Sequence, residues 1–560
     1  MIGVAVRREE IPIVEEFFEL FKTPWEIHRS DKSYDVILST LAAPPANARL
    51  VIIYRSQTDG WDEAHGIVAR STTPDAMVSY REVRLPIYGR LTVFEKPASE
   101  ETGLSSLWGL PAIRVKSGSC PVIRVGYDLF TEVEHLLVAG QPIAHAAVPT
   151  LDLHIQLLRE WILDAGIAFV EIPPIPAGYS FAACLTHDID FVGIRRHFGD
   201  HSMWGFLYRS TFGGSRDLFQ GRISVTRLLK MWRAVVLLPF VFAGWVEDFW
   251  EPFEWYLRVE ANLPATYFLI PFKRRHGERV EARHALRRAT AYDVGDIPEA
   301  VSALTDAGCE IGVHGIDAWH SVEKGRDERS RLANASSSFR RGIRMHWLLH
   351  DEHTAAVLEN AGFAYDSTHG YNDTVGFRSG TTQVFRPLGC RDLLELPLHI
   401  QDGALFFGDR LNLTEQDAWT RCAVLQAHAR SFAGVLTLLW HDRSHGPERF
   451  WGEFYERLIG TLKAAGAWFG TASQIVEWFR VRRSVRFESL TELTPLINEN
   501  QQALPPLTIR FHSPEVRGAS TRSSSTFVDV AWNGRVAMPL TSPVAAATVA
   551  RQTAQLGSRI

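Results

Sequence analysis

The stretch DIPEAVSALTDAGCEIGVH, residues 296–314, contains one complete helix–turn–strand unit. Asp296 and Glu299 have the spacing of a capping box, and apolar residues then recur at helical intervals. Gly308 supplies a helix stop, and the apolar run that follows it ends at His314. The stretch therefore predicts a helix, then a buried strand with a polar side chain at its carboxyl end.

The same order recurs elsewhere between residues 175 and 480. The helical segment 353–362 precedes the apolar segment 363–367, and the helical segment 415–432 precedes the apolar segment 435–442. Helices that alternate with short apolar strands are typical of a parallel sheet. Because polar residues repeatedly stand where strands end, we predict a closed or nearly closed (β/α) barrel with its site at the carboxyl ends of the strands.

The two ends of the chain differ from this middle part. Residues 1–150 contain short β-like runs separated by polar and proline-rich breaks, which predict an N-terminal α/β accessory domain. Residues 485–560 contain further short strand-like runs and predict a small β-rich C-terminal region. The predicted organisation is therefore an accessory domain over 1–150, a catalytic barrel over 175–480 and the β-rich region over 485–560.

Composition excludes some classes of function. Hydrophobic residues make up 46% of the chain, charged residues 22%, and the formal net charge is -5, so we expect no general nucleic-acid binding. Five scattered cysteines without a C-x-x-C pair predict neither a disulfide framework nor a thiolate zinc site. The N-terminal segment has no basic flank before an apolar run, so we expect a cytoplasmic protein. Nothing in the sequence predicts the oligomeric state.

Residues 228–245 form a strongly apolar segment that Lys230, Arg233 and Pro239 interrupt. A buried helix or a lid is the favoured interpretation. Peripheral membrane contact, which would make the protein membrane-associated, is the second, and a true membrane span is the third.

Four polar clusters follow apolar runs along the predicted barrel. They are THDID at 186–190, HGIDAWH at 314–320, RMHWLLH at 344–350 and HDRSH at 441–445. Asp and His side chains from separate strand ends are ligands of divalent catalytic cations. Hydrolysis of an unactivated amide or ester needs acidified water, a base, a stabilised oxyanion and an acid. The clusters hold a candidate for each requirement.

In this order, the clusters resemble the motifs of the NodB-like polysaccharide deacetylase superfamily, over residues 180–480. That superfamily consists of metal-dependent amide and ester hydrolases on a distorted (β/α) barrel. The resemblance of THDID to its first motif implies that Asp188 is the catalytic base and that Asp190 binds the metal. The resemblance of the second cluster to the histidine-bearing motif implies that His314 is a metal ligand.

The last two clusters carry the remaining roles that the resemblance implies. RMHWL resembles the third motif, in which an arginine orients the base, here Arg344, and a nearby backbone N–H, here around Trp347, helps to form the oxyanion hole. LLWHD resembles the final motif, whose histidine is the general acid, here His441. The segment LELPLHIQDGALF, residues 394–406, resembles a later strand and loop of one bacterial branch.

The second motif departs from the family pattern H-x-x-x-H, because Ala318 stands where the second histidine should be. Two histidines could replace it: His320 within the same cluster, or His346 beside Arg344. We favour His346 because it would come from the next strand end. Asp317 is a further candidate ligand or a partner of one, and loss of the metal site is a third interpretation.

The resemblance implies a function and a cofactor. We expect a metal-dependent hydrolase that removes N-acetyl or O-acetyl groups from a carbohydrate, either a polysaccharide or a lipid-linked biosynthetic intermediate. Zn²⁺ is the favoured ion, with Co²⁺, Ni²⁺ and Mn²⁺ open. One alternative is a deformylase of a lipid-linked aminosugar. Another is a catalytically inactive carbohydrate-binding or assembly protein that has lost one ligand.

Overall fold

The computed structural model describes residues 1–80, 83–95, 102–487, 492–493, 504–514, 526–534, 537–540, 542 and 546–549. The chain divides into two compact units. Unit 1 comprises Met1–Tyr179, Phe377–Gly389 and Glu477–Ile560, and unit 2 comprises Ser180–Gly376 and Cys390–Val476. The division falls within the helix Ala472–Ser484.

Unit 1 contains the α/β sheet predicted for the N-terminal part. Its strand order is Trp25–Ile27, Ile2–Ala5, Tyr34–Ser39, Ala48–Tyr54, Cys120–Val125, Ala112–Ser117. The pairs are parallel except for the last, which is antiparallel. Helices of this unit are Ile11–Phe21, Gly60–Ala64, Leu129–Val138 and Thr150–Asp164. Ile11–Phe21 follows the strand Ile2–Ala5 and Leu129–Val138 follows the strand Cys120–Val125, so helices and a mostly parallel sheet are combined in an α/β unit.

The other strands of unit 1 form antiparallel sheets. One sheet contains Ala69–Tyr80, Val83–Phe94 and Leu104–Ser105, and another contains Phe169–Glu171, Leu507–Ser513 and Thr526–Trp532. A third, two-stranded sheet pairs Glu492–Leu493 with Met538–Pro539. The described residues of the C-terminal region are thus β-rich, while its other residues lie outside the described part of the chain. The three-domain division stays a prediction.

Unit 2 is a curled, wholly parallel sheet. Its strands are β1 (Phe181–Ile189), β2 (Ala265–Leu269), β3 (Glu310–Gly315), β4 (Phe339–Met345), β5 (Tyr365–Asp366), β6 (Leu394–Glu395), β7 (Ile400–Gln401), β8 (Val435–Leu439) and β9 (Ala467–Phe469). They pair in the order β6-β5-β4-β3-β2-β1-β8-β7, and β9 also pairs with β1. Among the described residues β6 and β7 do not pair, so the predicted distorted barrel stays open there.

Helices connect these strands, and three of them, Pro298–Asp306, Thr354–Ala361 and Glu415–Ser431, lie in segments where the sequence predicts a helix. Those of unit 2 after β2 are Ala282–Arg288, Pro298–Asp306, Val322–Ala335, Thr354–Ala361, Asp402–Phe406, Glu415–Ser431 and Trp451–Ala464. The predicted cap at Asp296 is wrong. Pro298 begins the helix after Ile297, and the Asp296 carboxylate instead accepts hydrogen bonds from Lys273 and from the backbone N–H of Asp293.

Between β1 and β2 the chain forms a helical insertion. Its helices are His201–Tyr208, Gly214–Phe219, Val225–Phe242 and Phe253–Val259, with a π-helical turn at Arg209–Gly213. The helix Val225–Phe242 covers most of the apolar segment 228–245 and buries one face, which carries Leu228, Met231, Ala234, Leu238 and Val241. None of the helices in the described part of the chain is long and apolar enough to cross a membrane.

Candidate active site

The predicted site residues stand at one edge of the unit 2 sheet. Four strands of this parallel sheet, β1, β3, β4 and β8, carry them at or just beyond their carboxyl ends, and β2 lies between β1 and β3. The carboxyl ends of parallel strands meet at the same edge, so these side chains converge although they lie far apart in sequence. The set comprises Asp188, Asp190, His314, Arg344, His346 and His441.

Three of these side chains point donor atoms at one another. Nε2 of His314 lies 2.9 Å from Nδ1 of His346, and Oδ1 of Asp190 lies 3.4 Å and 3.3 Å from these two nitrogens. An ion bonded to each atom at about 2.1 Å would separate the atoms by about 3.0–3.4 Å. The observed spacing is therefore that of one face of a metal-coordination polyhedron.

The surroundings of these atoms also suit a cation. Nδ1 of His314 lies 3.1 Å from the carbonyl oxygen of Arg344, so a proton on Nδ1 leaves a lone pair on Nε2. Burial lowers the pKa of His346 to about 4, which keeps its imidazole neutral. Oδ1 of Asp190 is buried and has no hydrogen-bond partner among the described residues. An unpaired, buried carboxylate oxygen that faces two imidazole nitrogens is costly unless a cation compensates it, so the donor set fits a divalent metal ion.

The alternative ligands lie elsewhere. Nε2 of His320 is 3.2 Å from Oδ1 of Asp317, and this same oxygen accepts the backbone N–H of Glu278. Neither side chain belongs to the cluster of Asp190, His314 and His346. In the described part of the chain, that cluster is the one group of three or more His, Cys, Asp or Glu side chains whose donor atoms lie close enough together to hold a metal ion. The geometry thus favours His346 as the third donor.

Asp188 stands beside this cluster in a fixed orientation. Its Oδ1 accepts a hydrogen bond of 3.0 Å from Nη1 of Arg344, while its Oδ2 lies 3.9 Å from Nε2 of His314. Arg344 is fully buried and also donates to the hydroxyl of Thr186 and to the carbonyl and hydroxyl oxygens of Ser367. One carboxylate oxygen is therefore held, and the other faces the donor cluster, as a general base requires.

The chain turns sharply directly after His346. Trp347 and Leu348 have left-handed φ values of 65° and 52°. Such a conformation costs a non-glycine residue about 1–3 kcal/mol and is concentrated at functional sites. The turn brings the backbone of Trp347 next to a donor of the cluster, where its N–H is a candidate for the oxyanion hole.

His441 is held by a carboxylate that the sequence analysis did not single out. Oδ1 of Asp402 lies 2.5 Å from Nδ1 of His441, and Oδ2 accepts the backbone N–H of His441 at 2.8 Å. The hydroxyl of Ser444 also donates to Asp402. Burial by itself would lower the pKa of His441, but the negative charge and hydrogen bond of Asp402 raise it to about 9.

Electrostatic interactions also link His441 to the donor cluster. The carboxylates of Asp190 and Asp188 contribute to the raised pKa of His441. His441 is therefore protonated at neutral pH and lies within electrostatic range of both. Asp402 follows β7 directly, as Asp190 follows β1. Its position at a strand end was the sequence signal that could have identified it.

His187, which neighbours Asp188, faces a different environment. Its Nε2 lies 2.7 Å from Glu260, and its Nδ1 lies 2.9 Å from the carbonyl oxygen of Trp440. Both partners are buried. His187 therefore ties β1 to its neighbours rather than facing the donor cluster.

Comparison with known proteins returned structural matches only. No family model matches the chain, and no curated protein matches it. Among solved structures, the Agd3 carbohydrate deacetylase is 9% identical, covers 97% of this chain and 98% of its own, and has a TM-score of 0.35. A protein described as a polysaccharide deacetylase from Mycobacterium smegmatis is 19% identical, with coverages of 56% and 95% and a TM-score of 0.32.

A third solved structure broadens this set. The Puue allantoinase is 16% identical, with coverages of 55% of this chain and 92% of its own and a TM-score of 0.32. At such TM-scores these matches carry no argument about function. The function is therefore inferred from the geometry of the site.

Proposed function

We propose that unit 2 is a metal-dependent hydrolase that removes an acetyl group from a carbohydrate. The observation that carries this proposal is the convergence of three unlike groups at one sheet edge. These are the metal-donor cluster of Asp190, His314 and His346, the carboxylate of Asp188 held by Arg344, and the protonated imidazole of His441. Amide and ester hydrolysis requires these groups together.

The chain's own residues have distinct tasks in this reaction. A divalent cation, when bound, lowers the pKa of water and polarises the acyl carbonyl. Asp188 removes a proton from the attacking water through Oδ2, because Arg344 occupies Oδ1. The backbone N–H of Trp347 donates to the developing oxyanion. His441 donates its proton to the departing amine or alcohol, since Asp402 keeps the imidazole protonated and oriented.

The substrate class and the ion are further parts of the proposal. A carbohydrate follows from the resemblance of the four polar clusters to the polysaccharide deacetylase motifs. One carboxylate and two imidazoles form a donor set that suits Zn²⁺, with Co²⁺, Ni²⁺ and Mn²⁺ as alternatives. A polysaccharide or a lipid-linked sugar, met in the cytoplasm, is the substrate that we propose.

Acetate release provides the direct test of this function. The purified full chain, loaded with Zn²⁺, is expected to release acetate from N-acetylglucosamine oligosaccharides, and a chelator is expected to abolish the release. Formate from N-formyl substrates without acetate from N-acetyl ones would support the deformylase alternative. Saccharide binding without release of either acid would support the inactive binding protein and contradict the proposal.

The pH dependence tests the acid. His441 must be protonated to donate, so kcat is expected to fall as the pH rises through about 9. In Asp402→Asn the charge that raises this pKa is absent, and burial then lowers it. The alkaline limb of the kcat profile should therefore move down by about two pH units, toward the ordinary histidine value. An alkaline limb that stays at the same pH in the variant would contradict the role of His441 as the acid.

A further inference from the structure

The helical insertion between β1 and β2 exposes an unusual number of apolar side chains. The described residues include 24 exposed large hydrophobic side chains, and 11 of them lie between Phe198 and Trp245. We call residues 198–245 the aromatic surface. Monomeric soluble proteins rarely expose such groups close together, and where they do the patch is an interaction site.

On the helix Val225–Phe242, the exposed apolar side chains lie along one face. Its inward face is apolar, as expected, but its outward face carries Leu229, Trp232, Val236 and Phe240, which are 56%, 45%, 68% and 40% exposed. These positions follow helical spacing and form one stripe. An outward stripe on a surface helix is normally polar. The helix therefore has an apolar face that nothing in the described part of the chain covers.

Neighbouring segments extend the stripe. The exposed Phe198 ring packs edge-on against Phe242, with centroids 5.0 Å apart, and Trp245 packs against Phe240 at 5.9 Å. Exposed side chains of the preceding helix and π-helical turn add Trp204, Tyr208 and Phe212, and the turn contacts the Val225–Phe242 helix. The exposed groups thus belong to one packed set of helices.

The charged residues of the aromatic surface indicate which kind of partner it binds. Residues 198–245 contain six Arg or Lys and two Asp, and one of the six, Arg227, pairs with Glu415 and Glu453 outside this segment. Lys230 and Arg233 are exposed on the helix beside the apolar stripe and have no ion-pair partner among the described residues. Apolar and aromatic groups with unpaired cations between them match a bilayer interface that contains anionic lipid.

A second copy of the chain fits this surface less well. Two such surfaces face to face would bring the exposed cations Lys230 and Arg233 of one copy against those of the other, whereas the cores of protein interfaces are depleted of charged residues. We propose that the aromatic surface docks the protein peripherally on anionic phospholipid membranes, with the Val225–Phe242 helix lying in the plane of the interface. This 18-residue helix would extend about 27 Å along the interface. Lipid binding here is independent of the proposed hydrolysis.

The insertion also lies next to the candidate active site. It begins directly after Asp190, and the Arg443 guanidinium packs over the rings of Phe191 and Trp250 at 3.8 Å and 4.5 Å. Arg443 follows His441 by two residues. Docking through the insertion would therefore hold the donor cluster near the membrane surface.

Flotation with vesicles tests the proposal on the full chain. Vesicles of phosphatidylcholine and phosphatidylglycerol at 7:3 are expected to bind the protein at least tenfold more tightly than pure phosphatidylcholine vesicles. Leu229→Ser/Val236→Ser should lower the partition coefficient at least tenfold. Lys230→Glu/Arg233→Glu should do the same, and should also remove the preference for phosphatidylglycerol.

Matched substitutions elsewhere in unit 2 serve as the control. Leu286→Ser/Val424→Ser changes the same two residue types at exposed positions, and its vesicle binding should equal that of the wild type. Wild-type protein that does not bind 7:3 vesicles would overturn the proposal. So would equal losses in both serine pairs. Self-association that Leu229→Ser/Val236→Ser abolishes, without vesicle binding, would assign the surface to a second copy of the chain instead.

Discussion

Asp188→Asn is expected to lower kcat for acetate release by about 10²–10⁴-fold, the range that a positioned general base contributes. Asparagine keeps the size of the side chain and can still accept the hydrogen bond from Arg344, but it cannot take a proton from water. Zn²⁺ affinity should change little, because Asp188 is not a member of the donor cluster. Steady-state kinetics and calorimetry on the same protein give both values.

A control variant distinguishes the effect of losing the catalytic base from the effect of losing any carboxylate of the protein. Asp296→Asn makes the same chemical change at a carboxylate that pairs with the exposed Lys273 amine, and it should leave kcat unchanged. Acetate release by Asp188→Asn at the wild-type rate would mean that another group is the base. A fall in kcat that comes with a matching loss of bound zinc would instead place Asp188 among the ligands.

His346→Ala is expected to lower Zn²⁺ affinity by more than about 100-fold, because loss of a group that only supports a ligand already costs 10–100-fold. The substitution removes one of three donor atoms that lie within 4.8 Å of one another. Acetate release at limiting zinc should fall in parallel. Calorimetric titration of the metal-free protein measures the affinity.

His320→Ala is the matched control. His320 is the other histidine that could replace the one missing from the family motif H-x-x-x-H. His320 pairs with Asp317 outside the cluster, so Zn²⁺ affinity should stay within about threefold of the wild type, less than the loss of a supporting partner. A large loss in His320→Ala with none in His346→Ala would reverse the assignment. Unchanged affinity in both variants would point to a different site.

Periodicity predicted much of the fold because each strand and helix carries its own signal. The segments around 298–315 and 415–439 became the helix–strand pairs that their apolar spacing indicates. The start of one helix was missed because side-chain capping competes with longer-range ion pairs, and Asp296 pairs with Lys273 instead. The insertion after β1 was seen as an apolar segment, but helical spacing alone does not tell which face the rest of the chain covers.

The candidate site was predictable to the extent that residue type and strand position define it. Asp190, His314 and His346 are metal-binding residue types at strand ends, so a parallel sheet brings them to one edge. Asp402 was missed because a single Asp after the very short strand β7 looks like an ordinary turn residue. Its role depends on the pairing of β7 with β8, which no local pattern encodes.

The most direct test of the account is a crystal structure of the protein soaked in Zn²⁺, with the ion located by anomalous diffraction. We expect one peak at the unit 2 sheet edge, about 2.0–2.2 Å from Oδ1 of Asp190, Nε2 of His314 and Nδ1 of His346. Asp188 should lie beside this ion without replacing any of the three ligands. A peak coordinated by His320 and Asp317, or no peak at this edge at saturating zinc, would contradict the account.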